Sequence, residues 1–287
     1  MNGAVGFIGL GNIGAPMATR LLEWPGGLVV HDVRPEACDP YVERGAIAAA
    51  TPAEVAAAVD VISVMVQNED QVRDVLSGPD GILSTARPGT VVAVHSTIRA
   101  EGARSLARLA AAADGDQVDA PVSGGAMGAH EGTLAIMVGG SDRAVEQCRE
   151  PFALIGTLVA HFGPVGSGTN AKITRNLITF ASFAVVGEAQ RLAEAAGLDL
   201  GKLGDVVRHS DRITGGAGAV MLRPDAGRMS DDDGLRPIFE HTATLGAKDL
   251  HLAVLLASEH GLDAPFAELG ERWLRTALGL DAHPEPS

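Results

Sequence analysis

The chain has 287 residues, 46% of them hydrophobic and 20% charged, and its formal net charge is −14 at pH 7. This composition is typical of a folded globular protein of one or two domains and excludes a disordered chain. The acidic balance, with no Lys/Arg cluster, excludes nucleic acid and anionic membranes as general partners. Two isolated cysteines and no apolar run of about 18 residues lead us to expect a cytoplasmic protein without a metal site.

The first predicted elements are a strand, a glycine-rich turn and a helix. The apolar run Val5–Ile8 leads into Gly9-Leu10-Gly11-Asn12-Ile13-Gly14, and the helical run Pro16–Leu22 follows. In such a turn the first glycine permits the bend, the second admits a pyrophosphate, and the third allows close contact between helix and strand. The phosphate then accepts hydrogen bonds from free N–H groups at the helix N-terminus. The spacing therefore predicts a dinucleotide site over residues 9–14.

The second predicted strand, Leu28–His31, ends at a residue that bears on cofactor choice. Asp32 lies 23 positions after Gly9, close to the ~20 expected for the acid that binds the adenosine ribose hydroxyls. A carboxylate there would repel a 2′-phosphate, which favours NAD over NADP. Arg34 could instead receive that phosphate, so NADP is possible, and we expect both side chains near the cofactor.

Short apolar runs and alanine-rich helical runs continue to alternate up to about residue 160. This alternation predicts a doubly wound parallel sheet, here a Rossmann domain over residues 1–163. The further predicted strands are Val61–Met65, Thr90–His95, Gln117–Ala120 and Leu134–Val138, and the further helices are Ala37–Arg44, Pro52–Ala58, Gln71–Leu76, Ala100–Ala113 and Asp142–Ile155.

The pattern changes at Pro164–Gly168, beyond which we find no convincing strand. Residues 164–287 therefore predict an all-helical domain, joined to the first domain through a long helix. The fold class is thus α/β with a C-terminal helical domain. Its predicted helices run from Thr169 to about Ala196, then over Leu203–Ser210, Lys248–His260 and Ala264–Leu278.

Three further segments, together with the glycine-rich turn, resemble the signatures of a known family. They are Asp119–Gly125, Gly166–Asn176 and Leu245–Leu250. In order and spacing, the four motifs are similar to those of the β-hydroxyacid dehydrogenase family, the group of 3-hydroxyisobutyrate dehydrogenase, tartronate semialdehyde reductase and relatives of 6-phosphogluconate dehydrogenase. The resemblance spans nearly the whole chain and is specific for the family, not for the substrate. It implies that the helical domain over residues 164–287 is a substrate and dimerisation domain.

The segment Ser123-Gly124-Gly125 follows a predicted strand, at the sheet edge where open α/β folds bind ligands. One hydroxyl and the N–H groups exposed by two glycines suit a carboxylate, although an ordinary loop has the same composition. The resemblance implies that these three residues bind the substrate carboxylate.

Lys172 and Asn176 lie four residues apart on the long predicted helix, so both side chains share one face. A hydroxyl that loses a hydride must also lose its proton, and a lysine with a lowered pKa can accept it. The resemblance implies that Lys172 is the catalytic lysine and Asn176 the amide that positions the reacting oxygen. The neighbouring Ile173, Leu177 and Phe180 suggest a mostly buried helix.

The resemblance also implies that Met65, Val66, Thr97 and Lys248 contact the cofactor. The chain departs from the family at two positions, with Arg175 where Asn is usual and His241 where an aromatic residue is common. Both departures concern the substrate, not the reaction type. By analogy we expect a homodimer or homotetramer, for which the apolar stretch Ile178–Val186 is a candidate contact face, although a buried helix within the domain explains that stretch equally well.

The sequence therefore predicts an oxidoreductase that transfers a hydride between NAD and a small, anionic 3-hydroxy acid. The nearest alternative is an NAD(P)H-dependent reductase of succinic or tartronate semialdehyde, and the sequence does not decide the direction. Imine reduction on the same fold is disfavoured, because those enzymes generally replace the lysine that Lys172 represents. A non-catalytic nucleotide-binding regulator is disfavoured because Lys172, Asn176 and Ser123 are retained together.

Overall fold

The computed structural model describes residues 3–282. They fall into two compact units, one ending at Asn176 and the other beginning at Leu177. The domain boundary after residue 163, which the sequence places between the Rossmann domain and the helical domain, stays a prediction.

The first unit is built on one nine-stranded sheet. Its strands are β1 (Val5–Ile8), β2 (Leu28–His31), β3 (Ile47–Ala48), β4 (Val61–Val64), β5 (Val91–Val94), β6 (Asp116–Asp119), β7 (Val122–Ser123), β8 (Leu134–Gly139) and β9 (Gly156–Gly163). They lie in the order β3-β2-β1-β4-β5-β6-β8-β7, and β9 pairs with β8. The chain adds β2 and β3 on one side of β1 and the later strands on the other side, so a crevice opens where β1 and β4 end.

Helices cover both faces of this sheet, as the strand composition requires. Along β1, Phe7 packs into one apolar cluster and Ile8 into another on the opposite face, and both are fully buried. Parallel strands that are covered on both faces read as continuous apolar runs. The helices are α1 (Gly14–Leu21), α2 (Asp39–Val42), α3 (Pro52–Ala58), α4 (Glu69–Ser77), α5 (Ala100–Ala112), α6 (Gly125–Glu131), α7 (Asp142–Ile155) and α8 (Ser167–Ala195), which continues into the second unit.

The structure confirms the α/β class and all six predicted strands, and it corrects three details. The sheet is not wholly parallel, because β8 runs antiparallel to β6 and β7. The connection from β7 to β8 is too short for a parallel crossover, which needs a dozen or more residues. Strands β3, β7 and β9 were not predicted. The predicted helix Ala37–Arg44 is instead a 3-10 turn, Pro35–Cys38, followed by α2, because Pro40 has no N–H to donate.

The second unit consists of the remainder of α8 with α9 (Leu200–Thr214), α10 (Arg236–Glu259) and α11 (Pro265–Ala277). Among the described residues no strand follows Gly163. The helix α10 begins twelve residues before the predicted start at Lys248, and Pro237 lies in its first turn, where a proline is tolerated. None of the helices within residues 3–282 combines the length and apolar character that crossing a bilayer requires.

The expectation that α8 is mostly buried is wrong for the isolated chain. Ile173, Leu177 and Phe180 are 48%, 69% and 61% exposed. Their spacing places them on one helix face, as an apolar stripe should be. Such a stripe indicates that a face is suited to packing, but it does not say whether the same chain provides the partner.

Candidate active site

The glycine-rich turn lies at the carboxyl end of β1, beside the end of β4. Gly9 has φ +97°, and a Cβ there would collide with the carbonyl oxygen of Met65, while a Cβ on Gly14 would collide with the carbonyl oxygen of Gly9. These two positions require glycine for conformation and close packing. By contrast, a Cβ on Gly11 would meet nothing within 4 Å. The turn therefore holds open space beside exposed backbone, and its residues fit a pyrophosphate.

Asp32 anchors this turn to the end of β2. Its Oδ2 accepts a hydrogen bond of 2.7 Å from the Leu10 N–H, and its Oδ1 accepts the N–H of Arg34 at 2.9 Å and the Nε of Arg34 at 3.1 Å. Burial raises the pKa of Asp32, but the hydrogen bonds from Arg34 and Leu10 outweigh it and hold the pKa below its usual value. The carboxylate is therefore charged at neutral pH and faces the turn that would bind the cofactor.

A cleft of about 580 Å³ opens in front of these residues. It brings together six of the predicted cofactor residues: Gly9, Gly11, Asp32, Arg34, Met65 and Val66. Leu10, Asn12, Ile13 and Gly14 form the rest of the turn. Gln67, in the same predicted loop as Met65 and Val66, lines the cleft as well. Sequence reasoning missed Gln71 and Asp74, which line it from the adjoining helix α4. Their signal was available, since both are polar residues of the helix that directly follows this loop.

Ser96, which follows β5, fixes Val66, one of the residues that line this cleft. The hydroxyl of Ser96 donates to the Val66 carbonyl at 2.7 Å and accepts from the Val66 N–H at 3.0 Å. His95 is buried between the Ala120 carbonyl, 2.8 Å from Nδ1, and the Ser63 hydroxyl, 3.0 Å from Nε2. Burial lowers the pKa of His95 to about 4, so the ring is neutral. Thr97, a predicted cofactor contact, follows as an exposed residue.

The Ser123-Gly124-Gly125 segment joins β7 to α6. Gly124 has φ +135° and Gly125 has φ +64°, conformations that L side chains rarely adopt. Ser123 is half-buried and the two glycines are exposed. The backbone of this turn is therefore accessible beside a hydroxyl.

Lys172 reaches this same segment from the first turns of α8. Its Nζ donates a hydrogen bond of 2.6 Å to the carbonyl oxygen of Val122, the residue before Ser123. Burial lowers the pKa of Lys172, and the positive charge of Arg175 lowers it further. Asn176 lies one turn further along α8 and is half-buried. The structure thus brings the predicted proton acceptor to the predicted carboxylate-binding segment, although the two are about fifty residues apart in the chain.

Two other predicted positions, Lys248 and His241, lie on α10 in the second unit. Both are exposed, and Lys248 Nζ forms an ion pair of 3.2 Å with Asp249. Within residues 3–282, no group of three His, Cys, Asp or Glu side chains lies close enough together to hold a metal ion.

Two family models together match nearly the whole chain. One, described as the NAD binding domain of 6-phosphogluconate dehydrogenase, matches residues 4–163. The other, described as NAD-binding of NADP-dependent 3-hydroxyisobutyrate dehydrogenase, matches residues 166–284.

Individual proteins match over similar lengths. An uncharacterized oxidoreductase of Mycobacterium tuberculosis is 51% identical over 98% of this chain and 95% of its own length. An NAD-dependent L-serine dehydrogenase of Pseudomonas aeruginosa is 36% identical over 96% of this chain and 92% of its own. The crystal structure of a protein described as an oxidoreductase from Mycobacterium avium 104 superposes with a TM-score of 0.92, at 48% identity, over 97% of this chain and 99% of that one.

Proposed function

Since this chain belongs to the β-hydroxyacid dehydrogenase family and is an NAD(P)-dependent oxidoreductase, we propose that it oxidises a small, anionic 3-hydroxy acid with NAD. Lys172 is the proton acceptor in this proposal. The observation that carries it is the 2.6 Å contact of Lys172 Nζ with the Val122 carbonyl, directly beside Ser123.

Different residues of the first unit have separate roles in this reaction. The cofactor, when bound, accepts the hydride from the carbinol carbon. Ser123 and the exposed N–H groups of Gly124 and Gly125 hold the substrate carboxylate. This contact orients the hydroxyl on C3 of the 3-hydroxy acid. Lys172 takes the hydroxyl proton, and the amide of Asn176 hydrogen-bonds the same oxygen as it becomes a carbonyl.

The lowered pKa of Lys172 suits this role. A lysine at its ordinary pKa would be almost fully protonated near neutral pH and a poor base, whereas burial and the charge of Arg175 increase the neutral fraction. In the reverse direction the protonated lysine donates to a semialdehyde, so a reductase of succinic or tartronate semialdehyde uses the same residues. Equilibrium and metabolite levels decide the direction.

NAD is the proposed cofactor in preference to NADP, because the charged Asp32 lines the cleft at the end of β2, where this type of fold carries the acid that binds the adenosine ribose. The proposed roles of Thr97 and Lys248 as cofactor contacts stay predictions. So does the homodimer or homotetramer, which the exposed apolar side chains of Phe180 and Phe183 favour.

The test is a substrate panel with a lysine variant. We expect reduction of NAD, recorded at 340 nm, with at least one of 3-hydroxyisobutyrate, L-serine and related 3-hydroxy acids, or oxidation of NADH with a semialdehyde. Lys172→Ala should bind NADH normally yet lose roughly 10²- to 10⁴-fold in kcat. Lys202→Ala, which removes an exposed lysine of α9, is the matched control and should keep wild-type kcat. A folded Lys172→Ala enzyme with near-normal turnover would refute the mechanism.

A further inference from the structure

We propose that Asp119 is a positioning residue for the proton-transfer step, because its buried carboxylate fixes the start of α8 and thereby holds Lys172 against the Val122 carbonyl. The inference rests on the proposed role of Lys172. The hydrogen bonds of Asp119 go to the backbone at the start of α8, so in this proposal it acts through Lys172 and exchanges no proton with the substrate.

The carboxylate is fully buried at the last residue of β6 and binds the beginning of α8 through both oxygens. Its Oδ1 accepts the Gly166 N–H at 2.7 Å, and its Oδ2 accepts the Thr169 N–H at 2.6 Å. Backbone N–H groups in the first turn of a helix have no partner within the helix, and a carboxylate is the acceptor that stabilises them best. One side chain therefore ties the sheet to the helix that carries Lys172.

The backbones around this contact are packed so closely that α8 has little room to shift. A Cβ on Gly168 would come within 2.6 Å of the Asp119 carbonyl oxygen and 2.8 Å of the Gly139 nitrogen. A Cβ on Gly139 would come within 2.5 Å of Asp119 Oδ1. Two glycines thus let the first turn of α8 lie directly on the ends of β6 and β8, with the carboxylate between them.

Lys172 follows Thr169 by three residues, which is less than one helical turn. A displacement of the first turn therefore moves the lysine with it and breaks the short hydrogen bond, 2.6 Å, from Lys172 Nζ to the Val122 carbonyl oxygen. A lysine released from this contact would also become more exposed. Because burial is the larger cause of the lowered pKa of Lys172, that pKa should then rise toward its ordinary value, although the charge of Arg175 on the same helix remains.

The experiment compares Asp119→Asn with a matched control. Asparagine offers one carbonyl oxygen in place of two carboxylate oxygens, and its NH₂ group opposes the second N–H of the helix. The control is Glu188→Gln, since Glu188 is also a buried carboxylate that accepts two backbone N–H groups at a helix start. Its partners are Phe266 and Ala267 of α11 in the second unit, each at 3.0 Å.

The readouts separate positioning from stability. The chain has only three lysines, Lys172, Lys202 and Lys248, so NMR of the ¹³C-dimethylated protein can measure the pKa of Lys172 directly once Lys172→Ala has assigned its signal. We expect Asp119→Asn to lower kcat by roughly tenfold or more and to raise the pKa of Lys172, while the affinity for NADH is unchanged. Glu188→Gln should leave the kcat and the Lys172 pKa unchanged, even if its Tm falls by as much as the Tm of Asp119→Asn.

Each outcome decides the question. If Asp119→Asn leaves both the kcat and the Lys172 pKa at their wild-type values, the positioning role is refuted, and the proposed function stands as long as Lys172→Ala is inactive. A Lys172→Ala enzyme that still turns over refutes the proposed function and this inference with it. If Asp119→Asn does not fold, Asp119→Ser, whose hydroxyl can accept one of the two N–H groups, replaces it. Failure of both to fold, with a folded Glu188→Gln, would make Asp119 a folding determinant only and refute the inference.

Discussion

Replacing Asp32 with asparagine should weaken the preference for NADH over NADPH. The Asp32 carboxylate is only 8% exposed and already accepts three hydrogen bonds, from the Leu10 N–H and from two nitrogens of Arg34. The Arg34 side chain is 58% exposed, so it can leave Oδ1 when ribose hydroxyls arrive. Asparagine keeps one acceptor oxygen and the shape of the side chain, but it removes the negative charge.

The two cofactors should respond in opposite directions. A hydrogen bond to a charged acceptor contributes about 1.5–3 kcal/mol, so its loss should raise the Kd for NADH by roughly 10- to 150-fold. NADPH should gain, because two unit charges about 5 Å apart repel by about 3 kcal/mol at an effective dielectric constant of about 20, before screening by salt. Together these changes should shift the NADH/NADPH preference by about 100-fold or more.

Fluorescence titration with NADH and NADPH measures both constants without a known substrate. Asp74→Asn is the matched control, because Asp74 lines the same cleft from α4 and its loss changes the net charge equally. We expect no change of preference in that variant. A wild-type protein that binds NADPH about tenfold more tightly than NADH, or an unchanged preference in Asp32→Asn, would refute the assignment and leave Arg34 as the residue that selects the cofactor.

Two further predictions concern substrate binding and acid stability. Ser123→Ala should lower kcat/KM about ten- to a hundredfold, the cost of one hydrogen bond to a carboxylate, with unchanged NADH affinity; an unchanged kcat/KM on the active substrate would remove Ser123 from the site. Because burial lowers the pKa of His95 from 6.5 to about 4, the unfolded chain takes up a proton between these pH values that the folded protein does not. The free energy of unfolding should therefore fall as the pH drops from 6.5 to 4, by up to about 3 kcal/mol. In His95→Gln, denaturant titrations should show this fall reduced by about that amount, and an identical pH dependence in both proteins would contradict a buried neutral His95.

Local signals in the sequence were sufficient for several strands and helices of the first unit. The strands Val5–Ile8 and Leu28–His31 and the helices Pro52–Ala58 and Asp142–Ile155 have the predicted bounds. Periodicity and turn chemistry act over a few residues, so they can be read from the chain directly. The glycine-rich turn and Asp32 could be found for the same reason, since their spacing follows from the geometry of one strand–turn–helix unit.

What the sequence left open depends on contacts between distant segments. The antiparallel course of β8 depends on which strand it meets, and the two-residue strands β3 and β7 exist only because longer neighbours pair with them. The hydrogen bonds of Asp119 were invisible because its partners, Gly166 and Thr169, lie about fifty residues away. The candidate site residues could thus be proposed from the sequence, whereas only the packing of α8 against the ends of β6 and β8 decided how Lys172 meets the Val122 carbonyl, because long-range backbone contacts carry no local sequence pattern.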